Sequence, residues 1–194
     1  MLYSFLKGIL PAMFRVLYRT EVHGQENVPK EGGVIIAANH ISLWDPPFVG
    51  AFCPRRVSFM AKKELFENRI FSSIITNLGA FPVNRGAADR NAIKTALNIL
   101  AEGKCLGLFP EGTRSKSGKL GEAEAGVGLI AYKANVPIVP VAITGTNGKG
   151  LFPKFTIRFG KPIPAGDPKD KKLMAALPVQ IMAEIQKLLD EQQS

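Results

Sequence analysis

His40 and Asp45 are the two residues whose types and spacing come nearest to acid–base chemistry in this chain. Histidine is scarce: the only other one, His23, lies in a polar stretch and reads as a surface residue. Asp45 stands five residues after His40 and immediately before Pro46-Pro47. In a continuous helix the two would sit about 140° apart and would not meet. A strand–turn–helix corner can fold the carboxylate back onto the imidazole. There it would hold one tautomer and stabilise the protonated ring, leaving the second nitrogen as a general base. A structural reading stands beside this one. Asp before Pro is a good helix N-cap with proline at the first helical position, and His40 is then an ordinary loop histidine.

Other segments could deliver charge to the same place. In Phe109-Pro110-Glu111-Gly112-Thr113-Arg114, Glu111 can accept hydrogen bonds from hydroxyls and Gly112 lets backbone approach a ligand closely. Arg114 offers a planar fork for phosphate, although a solvated turn with an internal Glu–Arg pair would use the same residues. Phe81-Pro82-Val83-Asn84-Arg85 ends on a second arginine, and Lys62-Lys63 closes a third apolar run. One of those two lysines reads as plain surface charge. If the basic ends converge on His40, the result is a general base beside a phosphate site.

The elements that must position these residues follow from hydrophobic periodicity. At 194 residues the chain is one domain with room for a core, and 46% hydrophobic against 21% charged excludes disorder, collagen and coiled coil. Runs at Val34–Ala38, Val57–Ala61, Cys105–Phe109, Ile138–Ile143 and Phe155–Phe159 read as strands, with a weaker one at Ala80–Val83 interrupted by Pro82. Asp89–Ala101, Gly126–Ala134 and Lys171–Asp190 read as helices, the last broken at Pro178. The alternation predicts an α/β domain over 21–194, a central, largely parallel sheet flanked by helices. His40 and the loop carrying Arg114 then both fall at carboxyl ends of strands, where ligands bind in such sheets.

Residues 1–20 read as a separate amphipathic helical segment. Ser4, Lys7, Gly8, Pro11, Arg15 and Arg19 fall within about 120° of a helix, and the remaining face is wider than the roughly 100° stripe that core packing needs. Lys7 and Arg15 interrupt the segment well short of the about 20 apolar residues of a membrane span, and no small-residue cleavage site follows. Pro11 predicts a kink or two short helices. The expectation is a membrane-docking motif lying in the interface with its basic residues near lipid phosphates; the alternative is a helix docked on the protein's own core. A net charge of +9 calls for an anionic partner, and the absence of any Lys/Arg run longer than two argues against nucleic acid. Two cysteines, Cys53 and Cys105, are too few for a disulfide framework or a thiolate zinc site. Gly103 to Gly107 imitates a nucleophile elbow around Cys105 but precedes a strand, so Cys105 reads as a buried structural thiol. Gly145 to Gly150 lacks Walker spacing and reads as a turn.

The motifs taken together resemble the bacterial glycerolipid acyltransferases. Asn39-His40 to Asp45 matches that family's N-H-x-x-x-x-D, and Phe81–Arg85 is similar to its second block. Phe109–Arg114 matches F-P-E-G-T-R, and Val136-Pro137-Ile138-Val139-Pro140-Val141 its fourth block. All four stand in family order, and Glu-Gly-Thr-Arg alone arises by chance in about 0.001 of chains this long. The resemblance implies an enzyme that acylates the sn-2 hydroxyl of lysophosphatidic acid to give phosphatidic acid. His40 would be the base and Asp45 its orienting carboxylate. Arg85 and Arg114, with Lys62 or Lys63, would bind the glycerol phosphate, and Glu111, Gly112 and Thr113 would shape the glycerol site. The scheme calls for no metal or cofactor. The acyl thioester of acyl carrier protein or coenzyme A is a co-substrate, and the expected location is the cytoplasmic face of the inner membrane. Acylation of another lysolipid and non-catalytic binding of anionic phospholipid are the competing readings.

Overall fold

Val34-Ile35-Ile36-Ala37-Ala38 is apolar at every position because this strand, β2, is buried on both faces. The computed structural model describes residues 2–84, 89–148, 153–165 and 171–191. Around β2 lie β1 (Glu21–His23), β3 (Val57–Lys62), β4 (Phe81–Val83), β5 (Cys105–Leu108), β6 (Ile138–Thr144) and β7 (Thr156–Phe159). The sheet order is β1-β7-β6-β2-β5-β3-β4. The five strands from β6 to β4 are parallel, while β7 runs antiparallel to β6 and β1 parallel to β7. Pro82 is tolerated because β4 is an edge strand that pairs only with β3. The largely parallel sheet flanked by helices is the architecture the periodicity predicts.

The helices are α1 (Leu2–Leu17), α2 (Asp45–Phe52), α3 (Arg69–Asn77), α4 (Arg90–Ala101), α5 (Ala125–Ala134) and α6 (Lys171–Asp190). Strand alternation divides the core between them. Val34, Ile36 and Ala38 pack with Phe14 of α1 and Phe48 and Phe52 of α2. Ile35 and Ala37 face the other way, with Leu100 of α4, Ile130 of α5 and Ile181 of α6. The chain leaves β2 through α2 on the first face and leaves β5 through α5 on the second. The winding therefore reverses between β2 and β5, and a crevice opens at their carboxyl ends.

Several elements differ from the sequence reading. α6 is one helix with Pro178 inside it, not two. Buried Leu177, Ile181 and Ile185 hold it against the sheet across the missing N–H. α1 likewise runs as one element through Pro11. α3 was not expected, although Ile70, Phe71, Ile74 and Ile75 stand at helical spacing; none of its residues is buried, and Asn68 starts it, its Oδ1 accepting from the N–H groups of Ile70 (3.1 Å) and Phe71 (3.0 Å). His23 lies on the three-residue edge strand β1.

α1 packs on the first-face core. Phe14 is completely buried in the first-face core, and Leu10, Met13 and Tyr18 pack against it. Phe5, Ile9, Val16 and Leu17 of the same helix remain exposed. Among the described residues no helix is long and apolar enough to cross a membrane. Lys7 does not lie free for lipid phosphates. Its ammonium donates to the carbonyl oxygens of Gly50 (2.9 Å), Ala51 (3.0 Å) and Cys53, at the end of α2 where the helix dipole is negative. Burial holds its pKa below the usual lysine range. Cys105 is buried, as expected, in the same core as the buried thiol of Cys53.

Lys7 thus fastens α1 to α2 through the last carbonyls of the helix. Lys7→Ala is expected to lower unfolding free energy by about 1.5–3 kcal/mol, the range for hydrogen bonds to a charged group, in urea titrations followed by circular dichroism. A loss below about 0.5 kcal/mol, the level of an exposed surface residue, would remove this role.

Candidate active site

The site is assembled from the loops that leave β2, β5 and β6. β2 ends at Ala38, and the Asn39 side chain carries the pairing one step further. Its amide donates to the Ile143 carbonyl (2.9 Å) and accepts from the Ile143 N–H (2.7 Å), like a rung of the ladder to β6. This fixes the residue before His40. The His40 N–H then donates to Glu111 Oε1 (2.8 Å), and the His40 carbonyl accepts from the Ser115 N–H (2.8 Å). The imidazole lies against the Phe109 ring, centroids 4.1 Å apart, and Phe109 in turn stacks on Phe59 at 5.8 Å.

The corner closes as the catalytic reading requires. Asp45 opens α2, and its Oδ2 lies 2.8 Å from His40 Nδ1. The same oxygen accepts from the N–H groups of Ile41 (2.7 Å) and Ser42 (2.7 Å). Oδ1 accepts from the Thr146 hydroxyl at 2.5 Å. Asp45 makes no N-cap bond: it is the first residue of α2, the Phe48 N–H goes to the Trp44 carbonyl (2.9 Å), and the carboxylate turns back toward the loop. Its side chain is wholly buried, so these donors replace the water it has lost. With Nδ1–H given to the carboxylate, the lone pair of His40 is on Nε2. A nitrogen held in this way can take a proton from a hydroxyl brought within hydrogen-bond reach.

His40, Asp45 and Glu111 come together through direct hydrogen bonds. Glu111 accepts from two backbone groups, the N–H of His40 and that of Gly121 (3.0 Å), so its carboxylate clamps the loops. Gly112 adopts φ +66°, the left-handed conformation that turns the chain here. Thr113 and Arg114 follow on the exposed part of the loop, and the next residue, Ser115, is the one bonded to His40. Lys62 ends β3 and pairs with Glu64 (3.0 Å), and Lys63 opens the 3₁₀ turn Lys63–Phe66. Arg85 lies outside the described residues. Among the described residues no group of three or more His, Cys, Asp or Glu side chains is placed to hold a metal. Sequence reasoning assigned no role to Asn39, Phe109 or Thr146. The first two stand inside motifs already noticed, whereas nothing in the sequence marks Thr146.

An acyltransferase family model matches residues 19–144. The 1-acyl-sn-glycerol-3-phosphate acyltransferase of Bacillus subtilis is 33% identical over 170 residues, covering 86% of this chain and 84% of that protein. The protein of the same name from Streptococcus pneumoniae is 35% identical over 176 residues, covering 87% of this chain but 65% of its own length. The crystal structure of the 1-acyl-sn-glycerophosphate (LPA) acyltransferase from Thermotoga maritima superposes with a TM-score of 0.82 at 27% identity, covering 99% of this chain and 80% of that one.

Because both Glu111 oxygens receive backbone N–H groups, its replacement should be felt in stability. Glu111→Gln turns an amide donor toward one of those groups, and is expected to cost about 1–3 kcal/mol in urea unfolding. Wild-type stability in that variant would show that the clamp is dispensable.

Proposed function

The chain belongs to the acyltransferase family, and from that premise we propose that it moves an acyl chain from a thioester to the sn-2 hydroxyl of 1-acyl-sn-glycerol-3-phosphate, giving phosphatidic acid. The observation that carries this reading is the buried His40–Asp45 pair at the crevice between β2 and β5. His40 Nε2 takes the proton of the sn-2 hydroxyl while Asp45 holds Nδ1–H and stabilises the imidazolium. The hydroxyl oxygen bonds to the thioester carbonyl carbon, the carbon–sulfur bond breaks, and the departing thiolate recovers the proton from His40. Arg114, with Lys62 or Lys63, neutralises the glycerol phosphate from the adjoining strand ends. The donor is the thioester of acyl carrier protein or of coenzyme A, and the product feeds phospholipid synthesis.

The same reading places the enzyme on an anionic membrane surface at the cytoplasmic face of the inner membrane. Support comes from the distribution of exposed apolar side chains. Phe5, Ile9, Val16 and Leu17 of α1, Leu43 and Trp44 before α2, Leu65, and Ile70, Phe71 and Ile74 of α3 are all exposed. These elements belong to the sheet face toward which His40 points, since a right-handed β3–α3–β4 crossover puts α3 beside α2. Arg56 joins them, donating to the Asn77 carbonyl at the end of α3 while its guanidinium lies 4.6 Å from the Tyr3 ring of α1. On the α4–α6 face only Val179 is comparably exposed among the described residues. A lipid substrate would then reach the crevice from the side that carries the apolar surface.

Purified protein in mixed micelles, given lysophosphatidic acid and an acyl thioester, is expected to form phosphatidic acid, read by mass spectrometry. His40→Ala should lower turnover by about 10²–10⁴-fold, the contribution of a positioned general base. Product at the native rate from the variant would sink the base assignment, and no product with either donor across several lysolipids would leave a phospholipid binder. Full burial of a Phe, Ile or Val side chain contributes about 1.5–3 kcal/mol. The triple change Phe5→Ser, Ile9→Ser, Val16→Ser should therefore weaken flotation with anionic vesicles more than tenfold, and unchanged flotation would count against docking through α1.

A further inference from the structure

We infer that Thr146 is a positioning residue for the reaction, fixing the plane of the Asp45 carboxylate and through it the orientation of His40. This rests on the assignment of His40 as base. The two oxygens of Asp45 are held unequally. Oδ2 receives three donors, His40 Nδ1–H and the N–H groups of Ile41 and Ser42, all from one short stretch on one side. Among the described residues Oδ1 receives a donor only from the Thr146 hydroxyl, 101 residues further along the chain, at 2.5 Å. The carboxylate–Cβ torsion of aspartate is soft. Donors gathered on one oxygen leave the group free to pivot about that point, and a fourth on the other oxygen sets its plane. Since an ionised carboxylate only accepts, the threonine hydroxyl is the donor.

The turn that carries Thr146 is built to deliver it. Thr146 is 4% exposed, so water does not substitute readily for its hydroxyl. Gly145 before it has φ +84°, and a Cβ there would lie 1.8 Å from the Lys154 carbonyl oxygen, so the chain can turn inward at this point only through glycine. The Gly148 N–H closes the turn on the Gly145 carbonyl (2.7 Å). The strand leading into the turn is β6, whose Ile143 is the partner of the Asn39 amide. Thr146 and His40 therefore leave adjacent strands that are locked to each other one to three residues earlier. Among the described residues of the matched motifs none supplies a donor to Oδ1.

The test compares Thr146→Val, which keeps shape and removes the hydroxyl, with Thr146→Ser, which keeps the hydroxyl. His40→Ala, Asp45→Ala and the Asp45→Ala/Thr146→Val double variant are assayed beside them. All are read as full-length protein in the micelle assay, with thermal unfolding measured on each. Thr146→Val is expected to lower kcat about 10–100-fold with KM for lysophosphatidic acid within about twofold, as for a buried acceptor left unpaired. Thr146→Ser should stay within about threefold of the native enzyme. In the Asp45→Ala background, Thr146→Val should add less than about twofold, because the group it positions is gone. Native kcat in Thr146→Val, equal losses in the serine and valine variants, or a full multiplicative loss in the double variant would each overturn the inference. Should the valine variant not fold, Thr146→Ala replaces it in the same cycle. Native turnover in His40→Ala overturns the base assignment itself; inactive His40→Ala and Asp45→Ala beside a fully active Thr146→Val overturn only the role of Thr146.

Discussion

A carboxylate without access to water must find all of its partners in the protein. Asp45 is in that position, and much of the surrounding structure can be understood as meeting its demand. Its donors come from the loop after β2 and the turn after β6, segments brought together only by the order of the sheet. Removing the carboxylate would leave these donors facing one another in a dry crevice. Keeping it binds two separate parts of the chain to one point, and His40 is held there as a consequence.

The scaffold beneath explains why that point is where it is. A parallel sheet buried on both faces has rigid strands, and its irregular segments gather at the strand ends. The reversal of winding between β2 and β5 parts the helices above those two strands, so the loops after them can meet without being covered. Glu111 and Asn39 then remove the freedom such loops would otherwise have. One joins the β5 loop to the His40 backbone, and the other extends the β2–β6 ladder past its natural end. Neither needs to touch a substrate to matter to the site.

The two faces of the sheet are finished differently. α4, α5 and α6 turn their apolar sides inward onto one core. On the other face α1 is apolar around more of its circumference than its docking consumes. Phe14 enters the core while Phe5, Ile9 and Val16 stay outside. Core docking and interface binding were alternatives in the sequence; the wide apolar face leaves room for both. Lys7, the charge that interrupts it, is taken up by the carbonyls at the end of α2, which leaves the exposed strip more apolar than the sequence implies.

The central strands were legible because a strand buried on both faces has to be apolar throughout, and Val34–Ala38 and the run from Ile138 to Ile143 are. β1 was not, since three residues on a sheet edge impose no such pattern; α3 does carry Ile70, Phe71, Ile74 and Ile75 at helical spacing, but that apolar face meets no core. The proline break expected in α6 followed correctly from local backbone chemistry, yet packing of Leu177, Ile181 and Ile185 outweighed it. At the site, the residue types and spacing of His40, Asp45 and Glu111 were enough to mark them. Whether Asp45 capped its helix or turned back to the imidazole was an open choice, which the bonding of the Phe48 N–H to the Trp44 carbonyl and the waiting donors of Ile41 and Ser42 resolved. Thr146 carried no mark at all. A single hydroxyl 101 residues from its acceptor has no periodicity or spacing to betray it, because sequence records which groups are available, whereas only the folded chain determines which of them meet.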